Sequence, residues 1–117
     1  MYNALAHPAS VDSIPTSANQ EDHVSMATFA AHRLHTMLTN SADIVAIELL
    51  AAAQGIEFHR PRKSSPAIEK TIAAVRSVSP AYKEDRSLSR DIARLAAMID
   101  GGEFCEHAAS VLPSLGA

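Results

Sequence analysis

Alanine accounts for 22 of the 117 residues, whereas five residues are aromatic and four are glycine. Alanine is the strongest helix former, and its small side chain lets neighbouring helices approach closely. Because aromatic side chains supply much of the buried area of an ordinary core, a chain of this length with so few of them builds a thin core by itself. The composition therefore predicts an all-α protein that depends on partners to bury part of its surface.

Net charge and cysteine content argue against several classes of protein. Thirteen acidic and ten basic residues leave a net charge of −3, which does not favour non-specific binding to nucleic acid. The lone cysteine, Cys105, rules out an intrachain disulfide and a zinc site built from cysteines. The longest apolar run, Leu49 to Ala53, is too short to span a bilayer, and the N-terminus shows no signal-peptide pattern. We therefore predict a cytoplasmic protein that binds neither nucleic acid nor a membrane.

The first half of the chain is predicted to contain an arm and two helices. Residues 1–18 show no helical period and contain two X-Pro pairs, so they are predicted to form an extended arm. Ser17 and Gln20 have the spacing of a capping box, which predicts a helix start near residue 18 or 19. Apolar residues then recur every three or four positions, which predicts two helices within residues 19–55. The stretch from Asn40 to Asp43 is predicted to be a break or kink between them, and the second helix is apolar on nearly every face.

The second half is predicted to contain a loop, two further helices and a tail. The polar loop is predicted at 56–65, and the helices and the tail are predicted at 66–117. The pair Ser65-Pro66 starts the third helix, because serine is a good N-cap and proline is favoured at the first helical position. The third helix is predicted over about 66–78 and is expected to end before Pro80, and Gly101 is expected to end the fourth helix. The whole chain is therefore predicted to be a single helical segment.

Three parts of the sequence closely resemble the histidine ammonia-lyase family, within the aromatic amino acid lyases. The first is the sixteen-residue stretch at 11–26, which contains Asn-Gln-Glu-Asp-His at 19–23. The second is Ala-Ile-Glu-Leu-Leu-Ala-Ala-Ala-Gln-Gly at 46–55, followed by Phe58, Arg60-Pro61 and Lys63-Ser64-Ser65. The third comprises Asp85-Arg86, Asp91-Ile92 and the ending Val-Leu-Pro-Ser-Leu at 111–115. The resemblance covers essentially the whole chain, and a sixteen-residue match is far more specific than a three-letter motif.

The resemblance implies an all-helical homotetramer whose active sites are built from several subunits. Members of the family eliminate ammonia from L-histidine to give trans-urocanate, and their electrophile is a methylidene-imidazolone formed from an internal Ala-Ser-Gly. The matching region is only the C-terminal part of a longer lyase chain. No glycine of this sequence follows a serine, so the prosthetic group cannot form here. We therefore expect no cofactor in this chain and no activity from the chain alone.

The expected partners follow from the same resemblance. They are L-histidine in the intact enzyme, and either further copies of the chain or the missing portion of the lyase. A rival hypothesis is a non-catalytic helical interaction module that associates with an intact lyase or with itself. The apolar helix predicted at 42–55 agrees with both hypotheses, because each supplies a surface to cover it.

Glu21 is the predicted catalytic residue, and Gln20 and Glu21 are the predicted substrate-binding residues. In the family, the Glu of Gln-Glu-Asp-His lines the active site and is implicated in contact with histidine. An ionised carboxylate can accept a hydrogen bond from an imidazole N–H or attract an ammonium group, and a helix N-terminus favours its ionised form. The alternative is that Glu21 and Asp22 only satisfy first-turn amides of a helix. Gln20 either supports the site or serves as the partner in the capping box.

The other candidate residues are interpreted as structural. His32 and His35 lie one helical turn apart, but no carboxylate completes a zincin-type motif, so no metal site is predicted. Cys105 is expected to be a buried small residue. Glu48 lies inside an apolar helix, so it is expected to be buried and to pair with a basic group of another helix or subunit.

Overall fold

The structure is a computed structural model, and it describes residues 5–20 and 24–109. The chain divides into two compact units, Met1–Asn40 and Ser41–Ala117. The helices that lie within the described residues are the 3-10 helices Ala9–Val11 and Ser17–Asn19 and the α-helices α1 (Ala27–Glu57), α2 (Pro66–Val78), α3 (Ser89–Asp100) and α4 (Cys105–Ala108). The described ranges contain no strand, and the predicted all-α class is confirmed.

α1 is one continuous helix of 31 residues, so the predicted break at Asn40 to Asp43 is wrong. Asn40 and Asp43 are weak helix formers, but neither is a proline and neither removes a backbone N–H. Ala42 and Ala46 are buried in the core beside them. Burial of the alanines therefore outweighs a propensity penalty of about 0.5 kcal/mol for each polar residue.

The predicted helix start near residues 18 and 19 is also wrong. Ala18 and Asn19 have left-handed φ angles of 56° and 68°, which an α-helix of L-residues does not continue through. They belong to a short 3-10 helix in which the Asn19 N–H donates to the Thr16 carbonyl at 2.9 Å. α1 begins only at Ala27, whose N–H donates to the Ser25 hydroxyl at 3.4 Å.

α2 starts where the sequence predicts. The Ser65 hydroxyl accepts a hydrogen bond from the Ile68 N–H at 3.4 Å, and Pro66 is the first residue of the helix. α2 ends at Val78, before the proline that was expected to stop it. The local capping residues are sufficient to set both ends of this helix, because each acts within one turn.

α3 ends one residue before Gly101, as predicted, but the residue that turns the chain is Gly102. Gly101 keeps a right-handed φ of −73°, whereas Gly102 has a left-handed φ of 76°. The Gly102 N–H donates to the Ile99 carbonyl at 3.0 Å, and the Glu103 N–H donates to the Met98 carbonyl at 3.1 Å. This pair of hydrogen bonds is the Schellman motif, in which a glycine avoids the strain of the left-handed conformation.

The core of the second unit is small and rich in alanine. Its buried apolar side chains are Ala42, Ala46, Leu50 and Ala53 of α1, Ile72 and Val75 of α2, and Leu95 and Ala96 of α3. None of these buried side chains is aromatic. This core agrees with the expectation from composition that the chain buries little large apolar surface by itself.

α1 is not covered on every face. Ile44, Val45 and Ile47 are each more than 40% exposed, and Phe58, directly after the helix, is 81% exposed. By length and composition alone, α1 is also apolar enough to cross a membrane. A long core helix of a soluble protein passes the same test, so the prediction that the protein binds no membrane stays a prediction.

Candidate functional site

The predicted site residues lie in the first unit, between the second 3-10 helix and α1. Gln20 lies in a turn directly after Asn19 and is exposed, and Glu21 lies outside the described residues. Position 21 is six residues before the first residue of α1, Ala27, and the first turn of this helix contains no acidic residue. The capping-box alternative for Gln20 and the first-turn alternative for Glu21 therefore do not hold for α1. The argument from the dipole of this helix fails for the same reason.

Hydrogen bonds within the first unit hold the chain on both sides of this motif. The Val24 N–H donates to the Ser13 hydroxyl at 3.4 Å, which joins the segment after the motif to the segment before it. Arg33 of α1 donates to the backbone carbonyl of His7 at 2.7 Å and to that of Leu5. The described segments before and after the motif are thus joined to each other, and the preceding arm is tied to α1 through a guanidinium group.

A cavity of about 300 Å³ lies in the same unit. Its lining residues are Ala9, Ser10, Ser25, Met26, Ala27 and Ala30. None of the described side chains that line it is an acid or a base.

In the second unit, an ionic cluster with a buried carboxylate joins the loop after α2 to α3. Arg86 Nη2 lies 2.5 Å from Asp91 Oδ2 and donates to the Ser79 hydroxyl at 3.0 Å. Asp91 is 8% exposed and Ser79 is fully buried. Hydrogen bonds from the Arg86 guanidinium and then from the Ser79 hydroxyl lower the pKa of the Asp91 carboxyl, although burial opposes this shift. Both charges of this cluster are paired with each other, so its role is to hold the loop against α3.

Gln54 of α1 holds the same loop through the loop backbone. Its Nε2 donates to the Tyr82 carbonyl at 2.9 Å, and its Oε1 accepts from the Tyr82 N–H at 3.4 Å. Arg76 of α2 donates to Gln54 Oε1 at 3.3 Å and to Glu57 Oε1 at 3.4 Å. Among the described residues, no buried side-chain nitrogen or oxygen lacks a hydrogen-bond partner. This polar cluster therefore stabilises the unit and leaves no buried group free for catalysis.

The basic loop after α1 is held by Glu69 of α2. Arg60 Nη1 lies 3.1 Å and 3.0 Å from the two Glu69 carboxylate oxygens, and the Ser64 N–H donates to Oε1 at 2.8 Å. The Ser64 N–H first, and then Arg60, lower the pKa of Glu69 against an opposing effect of desolvation. Arg62 and Lys63 remain exposed, as expected for a solvated loop.

Two expectations for single residues are wrong. Cys105 is exposed, because it begins the four-residue helix α4 at the surface instead of lying in the core. Glu48 is exposed on the side of α1 opposite the core, so its predicted burial within this chain does not occur. His32 and His35 are both exposed, and the described residues contain no group of three or more possible metal ligands.

We expect the second unit to lose stability in acid through Asp91. The folded-state pKa of Asp91 is lowered from an unfolded value of about 3.9. Its ionised form therefore contributes stability above the unfolded pKa, and this contribution is lost as the pH falls through the folded-state pKa. Urea unfolding of the wild-type chain and Asp91→Asn should show a stability difference that is constant above about pH 5 and shrinks below about pH 4.

Asp85→Asn is the matched control for this measurement, because Asp85 is exposed. It should leave the pH dependence of unfolding close to that of the wild type. A stability difference between the wild type and Asp91→Asn that stays the same from neutral pH into acid would contradict the predicted role of the Arg86–Asp91 pair.

The family model for aromatic amino acid lyases matches residues 2–77, which is more than half of the chain. The chain belongs to the aromatic amino acid lyase family. Its relatives in this family include the histidine ammonia-lyase of Legionella pneumophila (strain Corby), which is 59% identical over 101 residues. The histidine ammonia-lyase of Desulfotalea psychrophila (strain LSv54 / DSM 12343) is 58% identical over 113 residues.

The aromatic amino acid lyase chain described here is much shorter than these relatives. The Legionella match covers 86% of this chain and 20% of the relative, and the Desulfotalea match covers 95% and 22%. The chain therefore spans about a fifth of the length of the curated relatives that it matches. The resemblance predicted from the sequence is confirmed, including its restriction to part of a lyase.

Solved structures show that the fold of this lyase segment is shared within the family. The crystal structure of histidine ammonia-lyase from Trypanosoma cruzi superposes with a TM-score of 0.85 at 42% identity, covering 96% of this chain and 22% of that one. Tyrosine aminomutase from Streptomyces globisporus superposes with a TM-score of 0.82 at 34% identity, covering 93% and 21%. Because proteins with different names share the segment, its fold alone does not identify the substrate.

Sequence reasoning missed the polar clusters of the second unit. Gln54, Arg86 and Asp91 all lie in the stretches that carry the family resemblance. Their place in those stretches is the one feature of the sequence that could have singled them out. Arg76 lies outside those stretches, and nothing in its local sequence marks it as a partner of Gln54. The contacts of Gln54 with Arg76 and Tyr82 join residues 22 and 28 positions apart in the sequence, so local patterns do not predict them.

Proposed function

We propose that this chain forms the C-terminal part of a histidine ammonia-lyase, which eliminates ammonia from L-histidine to give trans-urocanate. The observation that carries the proposal is the 59% identity to the Legionella histidine ammonia-lyase over 86% of the chain. Identity to the tyrosine aminomutase is lower, at 34%, so histidine is favoured over tyrosine as the substrate. The activity belongs to the lyase assembly to which this chain contributes.

In this proposal Glu21 binds the substrate. Its anionic carboxylate accepts a hydrogen bond from the imidazole N–H of histidine or attracts the substrate ammonium group, and Gln20 supports it. Two observations favour these roles. The stretch at 11–26 resembles the family motif, and α1 begins at Ala27, so positions 20 and 21 have no capping role at that helix.

The prosthetic group of the family does not fit the residues of this chain. A methylidene-imidazolone forms from Ala-Ser-Gly, and no glycine of the sequence follows a serine. The electrophile therefore has to come from another part of the lyase assembly. Following the family resemblance, we propose that this assembly is a cytoplasmic homotetramer that acts in histidine catabolism.

The proposal is tested with the isolated chain and with a chimera. The chimera carries this chain in place of the 101 matching residues of the Legionella histidine ammonia-lyase. We expect the isolated chain to form no urocanate from L-histidine, because it lacks the electrophile, and we expect the chimera to form it. Urocanate formation is followed by ultraviolet absorbance, with L-tyrosine as the control substrate. Urocanate from rigorously purified isolated chain, or an assembled chimera that acts on tyrosine but not on histidine, would contradict the proposal.

A second candidate function is a non-catalytic helical interaction module. The observation that favours it is the exposed apolar side of α1, which includes Ile44 and Ile47. Native mass spectrometry of the isolated chain separates the two candidates. A discrete and stable oligomer supports the interaction module, whereas a monomer that associates only with the remainder of a lyase supports a segment of a larger lyase.

A further inference from the structure

One face of α1 combines exposed apolar side chains with a single carboxylate. Ile44 and Ile47 are 48% and 51% exposed, and Glu48 beside them is also exposed. At about 100° per residue, Ile44 and Glu48 lie about 160° around the helix from Ala46, which is fully buried, and Ile47 lies about 100° from it. We define the Glu48 face as the residues Ile44, Ile47, Glu48, Ala51 and Gly55.

Gly55 also lies on this face, and no contact or backbone angle within the described part of the chain requires a glycine there. A Cβ atom at this position would meet nothing within 4 Å, and the backbone here does not need the left-handed conformation. Glycine inside a helix is unfavourable relative to alanine, because it loses more conformational freedom on folding. A neighbouring helix that packs closely against the backbone at Gly55 would explain the residue.

Glu48 has neither an ion pair nor a hydrogen bond with any other described residue. Its neighbours on the same side of α1 are Ile44 one turn before it and Ala51 and Ala52 one turn after it. A surface that covers these apolar side chains also removes the carboxylate from water. Because a desolvated carboxylate is costly unless it is paired, the covering surface has to present a cation to Glu48.

The relatives indicate what covers this face. The segment keeps its fold in the Trypanosoma cruzi histidine ammonia-lyase with a TM-score of 0.85, where it corresponds to only 22% of the chain. Most of the polypeptide of such a protein is therefore available to pack against it. A second copy of this chain is a poorer occupant, because a symmetric antiparallel contact centred on this face would place two Glu48 carboxylates together.

We propose that the Glu48 face packs against an apolar helix from the lyase portion that this chain lacks, and that this helix carries a lysine or arginine that pairs with Glu48. The proposal rests on the proposed function, because it takes the remainder of a lyase as the partner. Because Ala51 has a small side chain and Gly55 has none, the two helices can approach closely there. The ion pair fixes the position of one helix along the other.

The first test compares Gly55→Leu in the isolated chain and in the Legionella chimera. In the isolated chain, the variant should raise the midpoint of thermal unfolding, because leucine is a better helix former and its side chain meets open space. In the chimera it should lower the midpoint, because the docked helix occupies that space. Ala73→Leu, at an exposed position of α2, is the control for adding a leucine side chain to the surface of a helix.

The second test uses Glu48→Lys in the same two proteins. It should lower the unfolding midpoint of the chimera by several degrees, because two cations then face each other, and it should change the isolated chain little. Glu84→Lys makes the same charge change at an exposed loop residue and should leave both proteins nearly unchanged.

Each result distinguishes this proposal from the proposed function. Equal shifts in the isolated chain and the chimera, for either variant, overturn the docked helix, and so does a wild-type chimera that fails to assemble. A chimera that assembles but forms no urocanate contradicts the proposed function instead, and the shifts in unfolding midpoint remain measurable in it.

Discussion

Replacing Glu21 by glutamine in the Legionella chimera should lower kcat/KM for L-histidine by about 10- to 100-fold. The estimate corresponds to the loss of one hydrogen bond to a charged group, which is worth about 1.5–3 kcal/mol. Glutamine keeps the size of the side chain and removes only its charge, so a loss of this size reports on the carboxylate itself. The measurement is the initial rate of urocanate formation as a function of L-histidine concentration.

Glu84→Gln is the matched control, since Glu84 is exposed in the loop after α2. It should leave kcat/KM unchanged. Thermal unfolding of both variants separates a catalytic effect from misfolding, because Glu21→Gln should keep the unfolding midpoint of the wild-type chimera. Unchanged kinetics in Glu21→Gln would rule out the substrate-binding role.

Replacing Leu95 by alanine should destabilise the isolated chain by about 2–5 kcal/mol. Leu95 is fully buried and is one of the few large side chains in a core where half of the buried apolar residues are alanines. The substitution leaves a cavity, and the neighbouring alanine side chains are too short to fill it while they stay attached to their helices. Because a domain of this size has a total stability of about 5–10 kcal/mol, much of the second unit's stability should be lost. Urea unfolding followed by circular dichroism measures the effect.

Leu38→Ala is the matched control, because Leu38 is 60% exposed on α1. It removes the same atoms from a position in contact with solvent, so it should change the stability of the isolated chain by less than about 0.5 kcal/mol. Equal destabilisation by the two substitutions would show that the core around Leu95 is not packed in solution as it is in the structure.

The local parts of the fold were predictable because their causes are local. The pair Ser65-Pro66 predicts the start of α2, since the serine hydroxyl and the ring of the proline act on the first turn alone. The end of α3 was predicted for the same reason, although the left-handed residue is Gly102 and not Gly101. The family resemblance was predictable because it is a property of residue identities at consecutive positions.

The errors concern two elements whose local sequence suggested another conformation. The residues around Asn40 look like a break in the sequence, but burial of Ala42 and Ala46 keeps α1 continuous. Ser17 and Gln20 have the spacing of a capping box, but the left-handed backbone at Asn19 prevents a helix there. The continuity of α1 cannot be read from propensity, because burial of the alanines outweighs differences of a few tenths of a kcal/mol.

The candidate site also rests in part on the sequence and in part on the structure. The Gln20-Glu21 motif came from the sequence alone, and it remains a prediction because Glu21 lies outside the described residues. The structure contributed the negative result that α1 starts at Ala27, which removes the competing capping roles at this helix. It also showed that Glu48 is exposed, although the apolar residues around it in the sequence had predicted that it is buried.

The amino-acid sequence was enough to predict the helical class, the limits of α2, the end of α3 and membership of the aromatic amino acid lyase family. The continuity of α1, the side of this helix that is buried, and the pairing of Gln54 with Tyr82 across 28 residues could be established only from the folded chain. The difference lies in the range of the interactions. Helix caps and propensities act within one turn, whereas burial and ion pairing depend on which distant residues the fold brings together.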